Sequence, residues 1–158
     1  NPQQIVVSGD SVYLLANGQY DEEWHCPYYV QSIDVESRTA RTIANATHAV
    51  AYDGTLYLCY SATDWATYET VNTFFTYDVA TATLSNQSFL KGDTVEIATN
   101  SVYMMEVNPK NGELYIGLAG NKFVSSGVIH RFEKDGTPIH RFDVQGPNPN
   151  QAAFVNYQ

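Results

Sequence analysis

Basic residues are scarce in this chain: 8 Lys and Arg stand against 17 Asp and Glu in 158 residues, a net charge of −9. Binding a polyanion needs concentrated Lys and Arg, so neither nucleic acid nor anionic lipid is an expected partner, while a neutral or cationic ligand fits. Cysteine is nearly absent. Cys26 and Cys59 cannot make a disulfide framework or a zinc site, although they suffice for one bridge. No uninterrupted apolar run approaches the roughly 20 residues that cross a bilayer as a helix. The opening Asn1-Pro2-Gln3-Gln4 is polar, without the pattern of a signal peptide, and reads as the middle of a fold. A nucleophile elbow, a phosphate-cradling glycine loop and a dinucleotide fingerprint are all missing, so no catalytic residue and no cofactor is expected. Sustained helical periodicity is missing too.

Aromatic residues are plentiful, at 13%, with twelve tyrosines among them, a composition suited to pleated sheets. Laid on itself, the chain repeats. A turn dipeptide precedes an apolar-Tyr-apolar strand at Gly9-Asp10 with Ser11-Val12-Tyr13-Leu14-Leu15, at Asp53-Gly54 with Thr55-Leu56-Tyr57-Leu58, and at Asn111-Gly112 with Glu113-Leu114-Tyr115-Ile116. A second strand signal follows each, at Ser32-Ile33-Asp34-Val35, Thr76-Tyr77-Asp78-Val79 and Arg131-Phe132-Glu133-Lys134. Each unit holds four short strands, A to D. They are expected near Gln4–Val7, Ser11–Asn17, Tyr28–Asp34 and Thr39–Ala44; then Thr47–Tyr52, Thr55–Ser61, Val71–Asp78 and Thr83–Leu90; then Tyr103–Val107, Glu113–Ala119, Val128–Glu133 and Pro138–Val144.

Four antiparallel strands repeated every roughly 40–55 residues are the signature of a propeller blade. A β-sandwich also has many short strands, but nothing in it requires its loops to repeat. The expected fold is all-β, a partial β-propeller of about three four-stranded antiparallel blades over 1–45, 46–98 and 99–146. One extra strand, the first of a further blade, is expected within 147–158, because Asn148-Pro149-Asn150-Gln151 resembles the opening Asn1-Pro2-Gln3-Gln4. Three blades cannot close a ring and would leave apolar faces open, so a longer natural protein or a homodimer packed blade to blade is expected.

The third unit carries a resemblance. Tyr103-Met104-Met105-Glu106-Val107-Asn108-Pro109-Lys110-Asn111-Gly112-Glu113-Leu114-Tyr115-Ile116, then Gly127-Val128-Ile129-His130-Arg131-Phe132-Glu133-Lys134-Asp135-Gly136 and Phe142-Asp143-Val144-Gln145-Gly146, is similar to the C-terminal region of the YncE-like surface β-propellers of Bacteroides-type bacteria. The resemblance implies a seven-bladed propeller, secreted or lipid-anchored, usually of unassigned function; the leading expectation is a cell-surface or periplasmic module that binds a small molecule, glycan or protein through loops of one face. Some relatives work beside an outer-membrane transporter and some bind corrinoids such as vitamin B12. A corrinoid-binding accessory role and a structural surface-assembly role are thus the alternatives, with a propeller enzyme behind them.

In a propeller the D-to-A and B-to-C connections gather at one end of the ring, where ligands meet converging loops. The B-to-C loops here are Gly18–Pro27, Ala62–Thr70 and Gly120–Ser126, and two of them hold the only tryptophans. Trp24 lies in Tyr20-Asp21-Glu22-Glu23-Trp24-His25 and Trp65 in Asp64-Trp65-Ala66-Thr67-Tyr68-Glu69. An indole beside carboxylates can stack on a sugar or another ring while the acids accept its hydroxyl protons. Alternatively, both rings plug gaps between blades. Tyr20, Trp24, His25, Trp65 and Tyr68 are the candidate ligand-binding residues. Asp21, Glu22 and Glu23 are consecutive and read as solvated surface rather than a cation site. His25 beside Cys26 lacks further ligands at a useful spacing, so no metal site is expected. Ile129-His130-Arg131-Phe132 and Ile139-His140-Arg141-Phe142 flank a Lys134-Asp135-Gly136-Thr137 turn and are expected to pair as an outer hairpin whose charges guard the edge.

Overall fold

The computed structural model describes residues 1–22 and 26–155, and it is nearly all β. Among the described residues twelve strands form three four-stranded sheets, each in simple up-and-down order. The first holds β1 (Pro2–Ser8), β2 (Ser11–Asn17), β3 (Tyr28–Asp34) and β4 (Thr39–Ala44). The second holds β5 (His48–Tyr52), β6 (Thr55–Thr63), β7 (Thr70–Asp78) and β8 (Thr83–Leu84). The third holds β9 (Val102–Val107), β10 (Leu114–Leu118), β11 (Val128–Phe132) and β12 (Pro138–Asp143). A short helix, α1 (Val95–Thr99), precedes the third sheet. Among the described residues no helix is long and apolar enough to cross a membrane.

The repeated turn dipeptides produce these hairpins. Asp53 and Gly54 both have positive φ, at 49° and 76°, between the paired residues Tyr52 and Thr55. That is the two-residue connection whose twist matches the flanking strands. The outer hairpin forms as expected, with His130 opposite Arg141 and Arg131 opposite His140. Its turn closes by Gly136 N–H donating to the Glu133 carbonyl at 2.9 Å.

The chain divides into two compact units, one of Asn1–Tyr60 and Phe75–Gln87, the other of Ser61–Phe74 and Ser88–Gln158. In the first, register places Val6, Tyr13, Leu15 and Val30 on one face of the first sheet. They pack with Ala49, Leu56, Leu58, Phe75 and Tyr77 of the second sheet. The rings of Tyr13 and Tyr77 meet edge to face at 6.1 Å, and the first strands β1 and β5 lie in contact. On the opposite face of β1, Ile5 and Val7 remain 68% and 60% exposed. In the second unit Met105, Leu114, Ile116, Leu118, Val128 and Phe132 make the buried face of the third sheet. Each such side chain contributes about 1.5–3 kcal/mol by leaving water.

Three expectations are corrected. The D strand expected over Thr83–Leu90 ends at Leu84. Ser85 and Ser88 divert the backbone by accepting from Gln87 N–H at 3.3 Å and Leu90 N–H at 3.2 Å, the local bonding by which serine competes with a ladder. Lys91 N–H then donates to the Gly136 carbonyl at 2.9 Å, so this segment lies against the outer hairpin turn. Secondly, α1 arises where no helix was expected, since five residues are too few to show a period. Thirdly, of the span 147–158 where an extra strand was expected, residues 156–158 lie outside the described residues and 147–155 form no strand. Pro147 and Pro149 have no N–H to give a ladder; instead the Pro147 carbonyl accepts from Gly120 N–H at 2.7 Å. Pro149 lies against Gly117 and Gly127, and Phe154 meets the Tyr115 ring at 5.1 Å. Cys26 and Cys59 are not bridged.

Candidate functional site

The second unit carries a cleft where three connections meet: the β6–β7 loop, the β10–β11 loop, and the segment between α1 and β9. Two of these are B-to-C connections and one is a D-to-A connection, the combination expected from blade topology. Each is built by local chemistry. In the β6–β7 loop the Asp64 carboxylate accepts from the N–H groups of Ala66 at 2.7 Å and Thr67 at 3.3 Å. Those bonds hold it below its ordinary pKa. Tyr68 N–H returns to the Asp64 carbonyl at 2.7 Å, closing the turn. The Thr63 hydroxyl lies 2.9 Å from the Thr70 hydroxyl and donates to Ser101 Oγ at 3.3 Å. Asn72 Nδ2 donates to the carbonyls of Ile97 and Asn100 at 2.6 and 2.7 Å, tying the α1 segment to β7.

In the β10–β11 loop Gly120 is packed so tightly that a Cβ would collide with the Ser125 carbonyl. Asn121 N–H donates to Ser125 Oγ at 2.7 Å, and Phe123 N–H to the Gly120 carbonyl at 2.8 Å. This single 3-10 turn swings Phe123 into the middle of an aromatic cluster. Its ring centre lies 5.2 Å from Trp65, 6.4 Å from Tyr68 and 5.8 Å from Tyr103. Lys122 Nζ stands over the Tyr68 ring at 5.8 Å.

The backbone here is strained. Tyr68, Lys122 and Phe123 have φ of 61°, 47° and 61°. A non-glycine residue in this left-handed region costs about 1–2 kcal/mol, and such strain collects at binding sites. The aromatic surface is also open: Trp65 is 66% exposed and Tyr68 47%. The cleft encloses about 120 Å³, below the several hundred Å³ of a pocket that engulfs its ligand. It can take the edge of a ring or one substituent while the aromatic faces meet the rest.

Of the residues singled out in the sequence, the structure brings Trp65 and Tyr68 together. Tyr68 lines the cleft, and Trp65 stands at its rim against Phe123. Trp24 and His25 lie outside the described residues. Tyr20 is exposed and belongs to the other unit. Phe123, Lys122 and Tyr103 escaped the sequence reading; the signal available was an aromatic residue inside a recognised B-to-C loop, overlooked because it was not a tryptophan. Among the described residues no group of three or more His, Cys, Asp and Glu side chains is placed to hold a metal ion.

A second polar constellation lies at the outer hairpin. Glu96 of α1 accepts from Arg141 Nε and Nη2, each at 2.9 Å, and sits 2.9 Å from His130 Nε2. Arg141 Nη1 also reaches Asp143 at 2.9 Å. The guanidinium lowers the Glu96 pKa, while burial, opposed by Glu96, lowers that of His130. The arrangement clips α1 to the sheet and engages three of the roughly four acceptor sites of Glu96.

No protein-family model and no curated protein matches this chain.

Proposed function

We propose that this chain is a binding module of the extracytoplasmic surface β-propeller class, holding its ligand on the platform of Trp65, Tyr68, Phe123 and Tyr103. The observation that carries this reading is the convergence on Phe123 of the exposed Trp65 and Tyr68 rings and the half-buried Tyr103 of β9, with left-handed backbone at Tyr68, Lys122 and Phe123. Folding alone gains little by leaving an indole two-thirds in water, whereas a flat ring ligand such as a sugar gains a stacking surface. The three up-and-down sheets support the blade reading, and the resemblance of the last third of the chain supports a surface location. The test is tryptophan fluorescence of a Trp24→Phe variant, which leaves Trp65 as the reporter, against a panel of glycans and corrinoids. The expected result is a saturable emission change, weakened about tenfold by Tyr68→Ala, a loss of roughly 1.4 kcal/mol. A folded variant that answers no member of the panel removes the reading.

The exposed pair Ile5 and Val7 favours a second reading, self-association through the open face of the first sheet. Light scattering at micromolar concentration separates the two. A dimer lost in Ile5→Lys/Val7→Lys supports it, and a stable monomer refutes it.

A further inference from the structure

We propose that the ligand of this platform is a saccharide bearing one carboxylate, a hexuronate-type sugar, whose acid group is taken by Lys122. The inference rests on the platform reading and adds the chemical class of its ligand. Its first support is a contrast among the cations of this unit. Lys91, Arg131 and Arg141 are each paired with a carboxylate, Asp135, Glu113 and Glu96 respectively. Among the described residues of this unit Lys110 and Lys122 have no carboxylate partner, and of these two only Lys122 lines the cleft, its ammonium resting over the face of Tyr68. In a chain with a net charge of −9, a cation left without an acid partner beside a cleft is a charge held for something else.

The cleft chemistry points the same way. Of the two acids in the β6–β7 loop, Asp64 is committed to the N–H groups of its own turn, and the Glu69 side chain is not part of the cleft lining. The cleft wall offers the neutral side chains of Asn100, Asn121, Thr67 and Thr99. Among the described residues no hydrogen bond engages the two side-chain amides, each of which carries two donors and an acceptor suited to sugar hydroxyls. The hydroxyl of Thr99 donates to the Val95 carbonyl and that of Thr67 accepts from Glu69 N–H, so both keep one function for a ligand. An aromatic floor, hydroxyl-matching walls and one free ammonium describe a sugar acid. The overall negative charge opposes a polyanion but not one carboxylate seated against its own counter-ion, because repulsion from distant charges is screened within about 10 Å.

The experiment uses an oligosaccharide with a single terminal hexuronate and the same molecule with that carboxylate reduced to an alcohol. Both are titrated calorimetrically into the whole chain and into Lys122→Gln, Lys122→Arg and Tyr68→Ala. The expected result is binding of the acid on the order of tenfold tighter than its reduced form, abolished as a preference in Lys122→Gln and retained in Lys122→Arg, since a hydrogen bond to a charged partner outweighs a neutral one. Equal binding of the two forms, with loss in Tyr68→Ala, overturns the carboxylate assignment and leaves the platform standing. A preference for the acid that survives Lys122→Gln overturns the role of Lys122. If neither form binds, the inference falls; the platform reading falls with it only when the fluorescence panel is silent as well.

Discussion

The first and third sheets are written with the same strand motif and use it in opposite senses. In β2 the tyrosine of Val12-Tyr13-Leu14 is 3% exposed and belongs to the core. In β10 the tyrosine of Leu114-Tyr115-Ile116 is only half-buried, while both neighbours are fully enclosed. Tyr115 donates from its hydroxyl to Glu113 at 3.2 Å, lies 5.9 Å from the Arg131 guanidinium and meets Phe154. Glu113 in turn takes two bonds from Arg131. One sheet therefore presents its tyrosine to a neighbouring sheet, and the other presents it to ions and a terminal segment. A strand alternates faces with period two, so the same triplet serves either side, and what packs against each face decides which residue counts.

The sharpest way to break this comparison is to truncate both tyrosines. Tyr13→Ala is expected to cost about 3–5 kcal/mol, as removal of a fully buried ring does, and Tyr115→Ala about 1–2 kcal/mol. Urea denaturation measures both; equal losses would show that the two positions are equivalent after all. Next in size is a comparison of turns. Gly54 and Gly136 both have positive φ, 76° and 84°, but a Cβ at Gly54 meets open space whereas one at Gly136 strikes the Phe89 carbonyl. Gly54→Ala is expected to cost about 1 kcal/mol and Gly136→Ala about twice that or more. A Gly136→Ala protein no less stable than Gly54→Ala would remove the contact between the outer turn and the segment after β8.

The smallest effect sharpens the electrostatic half of the contrast. His130 has a depressed pKa, so the unfolded chain binds its proton first and stability falls as pH drops through the ordinary histidine range near 6.5. Glu96 is depressed as well, so its contribution is present above the ordinary glutamate value near 4.5 and is lost as pH falls below it. Both signs agree. Glu96→Gln is expected to flatten the decline below pH 4.5 by under about 1 kcal/mol, since the clip is partly solvated and flanked by Arg141 and Asp143. Thermal unfolding across pH checks this, and an unchanged acid limb would place the titration elsewhere.

Much of the sheet architecture was legible because its cues are local. The turn pairs Asp53-Gly54 and Asn111-Gly112, and the alternating tyrosine strands after them, act within a few residues. Strands β2, β3 and β4 fall where those cues place them. The eighth strand was misjudged because Ser85 and Ser88 compete for the backbone with a ladder that a propensity reading favours. Half of the candidate site was visible as Trp65 and Tyr68 in one long loop. Phe123, Lys122 and Tyr103 were not, since they lie over 30 residues away along the chain and reach the loop only when the third sheet is formed.

By itself the amino-acid order determined the all-β character, the threefold strand plan and the turns that join it, because these depend on side-chain alternation and backbone freedom between near neighbours. Only the tertiary structure decided which face of each strand is core, that residues 147–155 lie on the third sheet instead of adding a strand, and that the Lys122 ammonium stands over the ring of Tyr68. Those outcomes depend on contacts between residues far apart in the chain, where free energy is gained by burying whichever surfaces meet, and a local pattern does not specify which they are.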